Sequence, residues 1–358
     1  MEKLILLGAV FFTKIKNSNF EEKADDVMNN SMDRRKFVKS LAGAGALIAT
    51  SQLPVLGGEK VSGRPDDQPE VFPERGGYER LAISYGVVEI GLEKPFSVLH
   101  ISDSHLTAAY HYENAKKLEL SEKRTRTFGG RQEEALRDAL EWAREHVDYV
   151  VHTGDVIDWQ SEANFDLVKK YFGEGMTGSM GNHEFSTDMW LSDPKEERTE
   201  AYKDNTRAKL QSVYPFDVVF QSQVVNGVNF ITLDDVYGYV TEEQVRLFRK
   251  EVRKGLPIVL CMHVPFFTDL IWRAQCRFWN DKGRLTNGEV PPVSGDYKIQ
   301  KEDPVTRDFI AYLKKEPLLR CILAGHEHIN VEDQFSPTCR EYLVAGSFLF
   351  TGREILFV

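Results

Sequence analysis

Cysteine is scarce in this chain, with four residues in 358, and no two of them stand in C-x-x-C spacing. That excludes a zinc knuckle and a disulfide scaffold as the basis of the fold. Cys261 and Cys321 lie in apolar runs, where a buried free thiol is the default. Basic charge is also in deficit, since 45 Lys and Arg face 55 Asp and Glu, for a formal net charge of −10. That balance argues against a broad surface for nucleic acid or anionic membrane while leaving room for a local basic cleft, and no nucleic-acid scaffold is expected as a partner. No apolar run reaches the roughly 20 residues that cross a bilayer. Leu4 to Phe12 and Leu41 to Ala49 are both too short. Internal repeats and low-complexity tracts are absent as well.

What is present begins at the N-terminus. From Met32 the chain reads MDRRKFVKSLAGAGALIATSQLP, with Arg34 and Arg35 paired ahead of a small-residue apolar run. This resembles a twin-arginine export signal over residues 32–52. The resemblance implies the twin-arginine export machinery as a partner and a periplasmic or otherwise extracytoplasmic location. The competing reading is a basic helix start on a cytoplasmic protein. Residues 1–31 sit awkwardly upstream as an N-terminal extension, and Met32 or Met28 is the expected start. Residues 53–80 are rich in Pro, Gly and charge without an apolar period, which reads as a linker. The folded domain is then expected over 81–358.

Within that domain, apolar runs alternate with helical patterns. LAISYGVVEI, FSVLHIS, VDYVVHTGD, PIVLCMHVP and LRCILAGHEH read as strands, as do EYLVAGSFLF and REILFV. Helical spacing marks 131–146, 162–172 and 304–315, and Thr241 caps a further helix ending at Gly255. Asn226-Gly227 signals a hairpin. Phe266 to Asp303 reads as a long aromatic loop, a kind of segment that is usually functional. The expected class is α/β, with a mixed-sheet core and the chemistry in loops at strand ends.

Five short motifs follow those strands or close a loop after a helix: SDSH at 102–105, TGDVID at 153–158, MGNHEF at 180–185, CMHVP at 261–265 and AGHEH at 324–328. They contain five of the nine histidines. Together they offer Asp103, His105, Asp155, Asp158, Asn182, His183, His263, His326 and His328. So many oxygen and imidazole donors exceed what one zinc needs and lack the thiolates of structural zinc sites. The set suits two borderline divalent ions bridged by a carboxylate.

In this order, D-x-H, GD-x-x-D, GNHE, a lone His after a strand and GH-x-H resemble the calcineurin-like metallophosphoesterase superfamily, over roughly Phe96 to Asn330. The resemblance implies a four-layer α/β/β/α sandwich of mixed sheets. It implies that Asp103, His105 and His328 bind one ion, that Asn182, His263 and His326 bind the other, and that Asp155 bridges. His183 is implied as a general acid near the leaving group, and Asp158 as its orienting carboxylate. The implied reaction is in-line attack on phosphorus by a hydroxide held between two divalent ions, manganese, iron or zinc. The substrate is expected to be a small phosphoester. A phosphomonoesterase is the first reading, and a phosphodiesterase acting on nucleotide or lipid head-group diesters is the alternative. A non-catalytic relative would be marked by loss of Asp155, Asn182 or His183, and all three are present.

The chain also departs from relatives. Asp158 stands where purple acid phosphatases place a ligating Tyr. Asp158-Trp159-Gln160 and Met180 replace the DRG pattern, and the Arg before GNHE, of protein Ser/Thr phosphatases. Ser102 and Ser104 are read as residues that fit the backbone, and Gly154, Gly181 and Gly325 as positions that let it approach the ions. His100, His111, His146 and His152 have no motif support. Arg124, Arg126 and Arg131 read as a solvated charge run rather than a phosphate clamp. Phe266, Phe267, Trp272, Phe278 and Trp279 serve equally as loop packing or as a stacking surface for a substrate group.

Overall fold

Strand β2 (Phe96–Ile101) is buried at every position, and the destination of alternate side chains explains how. Phe96 and Val98 join an apolar cluster with Val151, Phe230, Val259 and Leu323. Leu99 and Ile101 join another with Leu136, Ala139, Phe165 and Val168. A strand whose successive residues face opposite ways can be apolar throughout only when both faces of its sheet are covered. The computed structural model describes residues 80–173, 175–187, 199–281 and 303–358. The signal and nearly all of the linker read from the sequence lie outside them.

The described chain runs β1 (Ala82–Val88), β2, α1 (Ala115–Thr127), α2 (Gln132–His146), β3 (Tyr149–Thr153), α3 (Glu162–Tyr171), β4 (Met176–Ser179), α4 (Glu200–Gln211) and β5 (Phe220–Val225). It continues with β6 (Val228–Leu233), α5 (Glu242–Val252), β7 (Ile258–Cys261), α6 (Asp269–Asp281), α7 (Pro304–Leu313), β8 (Leu319–Ala324), β9 (Val331–Ser336), β10 (Cys339–Leu343), a 3-10 turn (Ser347–Leu349) and β11 (Thr351–Phe357). One sheet has the order β1-β11-β2-β3-β4 and the other β5-β6-β7-β8-β10-β9. Both are mixed: β11 runs antiparallel to β2 in the first, and β9 and β5 are antiparallel edge strands in the second.

The sheets pack face to face through the cluster shared by Val98, Phe230 and Leu323, with Phe96 and Phe230 edge to face at 6.3 Å. Helices α2, α3 and α4 cover the outer face of the first sheet through Leu136, Phe165 and Leu210. Helices α5, α6 and α7 cover the second through Phe248, Ile271 and Phe309. This is the α/β/β/α arrangement expected from the motifs. The described residues include no helix long and apolar enough to cross a membrane.

Three expectations are corrected. The segment after Phe266 is not all loop: Asp269 to Asp281 is helical, with Ile271, Trp272 and Cys276 buried. Phe266 stacks on Phe335 within the core, at 5.3 Å. The run EYLVAGSFLF is not one strand, because β10 stops at Leu343 and a 3-10 turn follows. Arg124 is not simply solvated charge, since it stands in the last turn of helix α1 with its guanidinium on Asp158.

Candidate metal centre

All five motifs begin within two residues of the last residue of a strand. SDSH, TGD and MGNHE follow β2, β3 and β4, which are adjacent and parallel. CMHVP and AGHEH follow β7 and β8, likewise adjacent and parallel. Two face-to-face sheets therefore contribute the same kind of edge, the carboxyl ends of their parallel strands, which is where α/β folds place ligands. Beyond the strands the first two loops run side by side, with the amide nitrogens of Asp103 and His105 donating to the carbonyls of Gly154 and Asp155 at 2.9 Å each.

Backbone conformation in these loops departs from ordinary stereochemistry. Asp103, His105, Asp155, His326 and His328 all have positive φ, between 45° and 68°. Only two other described non-glycine residues do, Asn226 in the hairpin turn and Phe350. Left-handed backbone costs an L-residue about 1–2 kcal/mol, and Asp and His are among the types that tolerate it best. Strain of this kind gathers at functional sites, where the surrounding fold imposes it. Gly154 carries φ 89°, and a Cβ there would stand 2.6 Å from His263 Nδ1. At Gly325 the constraint is proximity: a Cβ would overlap Ser102 Oγ and stand 2.6 Å from Asp103 Oδ2.

The donor atoms fall into overlapping groups. His105 Nε2 lies 3.0 Å from His328 Nε2 and 3.8 Å from Asp103 Oδ1, and His328 Nε2 lies 3.3 Å from Asp103 Oδ1. In the second group, His263 Nε2 lies 3.3 Å from Asp155 Oδ2 and 3.1 Å from both Asn182 Oδ1 and His326 Nδ1. Donors about 2.0–2.2 Å from one ion, at angles near 90–110°, stand about 2.9–3.5 Å apart. Most of these spacings are edges of such a polyhedron. Asp155 Oδ2 also stands 3.8 Å from His105 Nε2, so this one oxygen faces both groups. Asp103 Oδ1 is buried without a hydrogen-bond donor, although its partner Oδ2 accepts from the His326 amide at 3.0 Å. A divalent cation fits that orphaned oxygen and the converging imidazole nitrogens. Asp103, His105, Asp155, Asn182, His263, His326 and His328 are thus brought together as the sequence suggested.

Tautomers are fixed from behind. His263 Nδ1 donates to the Thr153 carbonyl at 2.7 Å, leaving Nε2 to face the centre. His105 Nδ1 lies 2.9 Å from Asp158 Oδ1, with the same effect. His183 has its Nδ1 3.0 Å from that same Asp158 oxygen and 2.9 Å from the Asp158 carbonyl. Its Nε2 lies 3.9 Å from Asp155 Oδ2, close enough to group geometrically with His105 and Asp155 as a further donor set.

Burial alone would raise the buried carboxyls, but the imidazoles facing them win. His263 and His183 hold Asp155 well below the usual range, and His183, Arg124 and His105 do so for Asp158. The converse holds for two imidazoles. Burial opposes their charge, yet Asp155 and Asp158 lift His183 to about 9, and Asp155 lifts His263 to about 10. Burial, followed by the His183 charge, lowers His105. Opposed shifts of this kind on neighbouring groups mark a site arranged for proton or ion chemistry.

Sequence reasoning missed two residues here and read a third, Arg124, as solvated charge. Glu184 is fully buried and accepts from the amides of Asp155, Val156 and Gly181 and from Tyr214 Oη at 2.7–3.0 Å, which pins two motif loops together. Its signal was its place in GNHE. Asp235 accepts from the amides of His263 and Val264, and a carboxylate pair two residues beyond an apolar strand was the clue. Arg124 forms a fork to Asp158, for which the charge-rich helix α1 gave no warning. His100 and His152 are buried and hydrogen-bonded to Thr153 and Ser104, outside the ligand set. Ser104 reaches Ser347 as well as His152, and Ser102 donates to the Thr153 carbonyl. Glu327 turns from the donors to accept from Trp279 Nε1 at 2.8 Å. Of the aromatic residues noted after His263, Trp279 stands against the ligands, 5.8 Å from the His328 ring.

A family model described as calcineurin-like phosphoesterase matches residues 96–330. Among solved structures, a dimetal phosphatase from Danio rerio is similar at 16% identity and TM-score 0.42, over 71% of this chain and 88% of that one. A purple acid phosphatase from yellow lupin is similar at 12% identity and TM-score 0.41, over 71% and 44%. A 5'-nucleotidase from Candida albicans is similar at 10% identity and TM-score 0.35, over 76% and 47%. The chain thus spans under half the length of the last two. Curated protein sequences gave no match.

Proposed function

The chain belongs to the calcineurin-like phosphoesterase family, and from that premise we propose that it hydrolyses phosphomonoesters at a centre of two divalent ions. The observation carrying this reading is that Asp155 Oδ2 faces both donor groups, 3.3 Å from His263 Nε2 and 3.8 Å from His105 Nε2. Asp103, His105 and His328 would hold one ion and Asn182, His263 and His326 the other, with Asp155 between them. Bound ions would supply Lewis acidity at the phosphoryl oxygens and lower the pKa of a water between them.

The chain's own residues supply the rest. In the ion-free centre Asp155 and Asp158 outweigh burial and lift the His183 imidazole to about 9, so it would hold a proton at neutral pH. Its Nδ1 is engaged by Asp158, so Nε2–H is the group that would protonate the departing alcohol oxygen. Asp158 orients that imidazole and offsets its charge. No covalent protein nucleophile is required, since the hydroxyls of Ser102 and Ser104 are committed to Thr153 and to His152 and Ser347.

A phosphodiesterase is the second reading. Phe348 lies 5.3 Å from the His328 ring and Trp279 5.8 Å, so a second organic arm would meet aromatic surface beside the ligands. The deciding experiment assays a monoester, a diester and a nucleotide panel against protein loaded with manganese, iron or zinc, since this donor set suits all three. Turnover that is highest on monoesters, and is lost with bound ions in Asp155→Ala, is the expected result. An Asp155→Ala variant with full activity would sink the reading.

We further assign residues 81–358 to the catalytic domain and 32–52 to twin-arginine export. Replacing Arg34 and Arg35 by Lys should leave the protein in the cytoplasm, and an unchanged compartment would end the export assignment.

A further inference from the structure

Helix α1 is polar along most of its length, with only Leu120 fully buried. What docks it is a run of polar contacts near its C-terminal end. Ser121 Oγ donates to the Thr107 carbonyl and Thr125 Oγ1 pairs with Thr107 Oγ1, each at 2.5 Å. These bonds hold the turn that carries Arg124 against Thr107. Its Nε donates to Asp158 Oδ2 at 2.6 Å and its Nη2 to Asp158 Oδ1 at 2.9 Å. The Arg124 guanidinium also lies 4.8 Å from the centre of the Phe128 ring, and Phe128 stacks on His105 at 4.4 Å with an 11° angle between planes.

The geometry points to Arg124 as a positioning residue that acts through Asp158, locking one carboxylate so that it orients a candidate ion ligand, His105, and the proton donor, His183, together. The inference rests on the roles proposed above for those two histidines. Asp158 Oδ1 lies 2.9 Å from His105 Nδ1 and 3.0 Å from His183 Nδ1, which also meets the Asp158 carbonyl at 2.9 Å. A carboxylate held only by two imidazoles can rotate and favour one of them. A guanidinium fork on both of its oxygens fixes the carboxylate plane. With the plane fixed, His105 Nε2 and His183 Nε2 both face Asp155 Oδ2, at 3.8 and 3.9 Å.

The test is a double-mutant cycle of Arg124→Gln and Asp158→Asn in the full chain, loaded with zinc and assayed on an aryl phosphate. Arg124→Gln should lower kcat about 10–100-fold, the range for partners behind a ligand. KM should stay within about threefold, and the double variant should be no slower than Asp158→Asn alone, because residues acting through one another do not add. Losses that multiply, a raised KM with kcat intact, or wild-type kinetics would each overturn the inference. A chelator titration of bound zinc needs no turnover and separates this inference from the reaction class. Arg124→Gln should release one ion about 10-fold more readily, and an unchanged titration overturns the proposal whatever the substrate proves to be. If Arg124→Gln does not fold, Arg124→Lys, which keeps the charge and loses the fork, is carried through the same cycle with the same outcomes.

Discussion

The amide nitrogen of His326 donates to Asp103 Oδ2 at 3.0 Å, joining loops 223 residues apart in the chain that follow strands of different sheets. Asp103 thereby does two jobs with two oxygens, tying the sheet edges through Oδ2 and presenting Oδ1 to the centre.

Asp103→Asn separates those jobs. The Asn carbonyl oxygen can still accept from His326, which turns the amide nitrogen toward the position a cation needs. The variant should melt within a few degrees of wild type, yet bind one ion fewer when its metal content is measured after dialysis. Undiminished metal content would show that Oδ1 is not a ligand.

His183→Gln distinguishes an acid from a ligand, since its Nε2 lies close enough to His105 and Asp155 to group with them. The expectation is unchanged metal content with kcat lower by about 10²–10⁴-fold, the usual contribution of a positioned acid. Loss of an ion in this variant would reassign His183 to the ligand set.

The charge on His183 also makes a statement about stability. Its pKa of about 9 lies above the ordinary imidazole value of 6.5, so the folded state binds this proton more tightly than the unfolded chain. The stabilisation is then fully present below about pH 6.5 and is lost as pH rises through about 9. In chelator-treated protein, the melting-temperature gap between wild type and His183→Gln should be widest near pH 6 and close by about pH 10. A gap that widened with pH would contradict the assignment.

Gly325→Ala places a methyl where Ser102 Oγ already stands and 2.6 Å from Asp103 Oδ2. Overpacking of this kind costs about 1–3 kcal/mol and moves the backbone that resists it. The variant should melt several degrees lower and lose bound metal together with stability. An unaltered melting curve would mean that the loop has slack its contacts do not suggest.

The division between what was legible and what was not has a physical basis. Strands such as FSVLHI announce themselves because both faces are covered, and ligand-type residues at their ends follow from how α/β sheets present loops. Helix α1 left no such trace, since it is held by Ser121, Thr125 and Arg124 rather than by an apolar stripe. Helix α6 did carry a signal in Ile271, Trp272 and Cys276 at helical spacing, which the aromatic richness of the segment obscured. Neither the Arg124 fork nor the Glu184 contacts can be read from spacing, because each joins residues brought near only by the packing of several loops.

The left-handed backbone of Asp103, His105, Asp155, His326 and His328 carries a conformational cost. An extended chain has no reason to hold five L-residues in conformations that each cost about 1–2 kcal/mol. Together they approach the whole stability of an ordinary domain, about 5–15 kcal/mol. Only closure of both sheets, with the hydrogen bonds that follow, can impose them at once. The backbone of the centre is therefore imposed by the closed fold rather than by local preference. Any ion occupying the centre would add its binding free energy to the fold that holds these five residues in place.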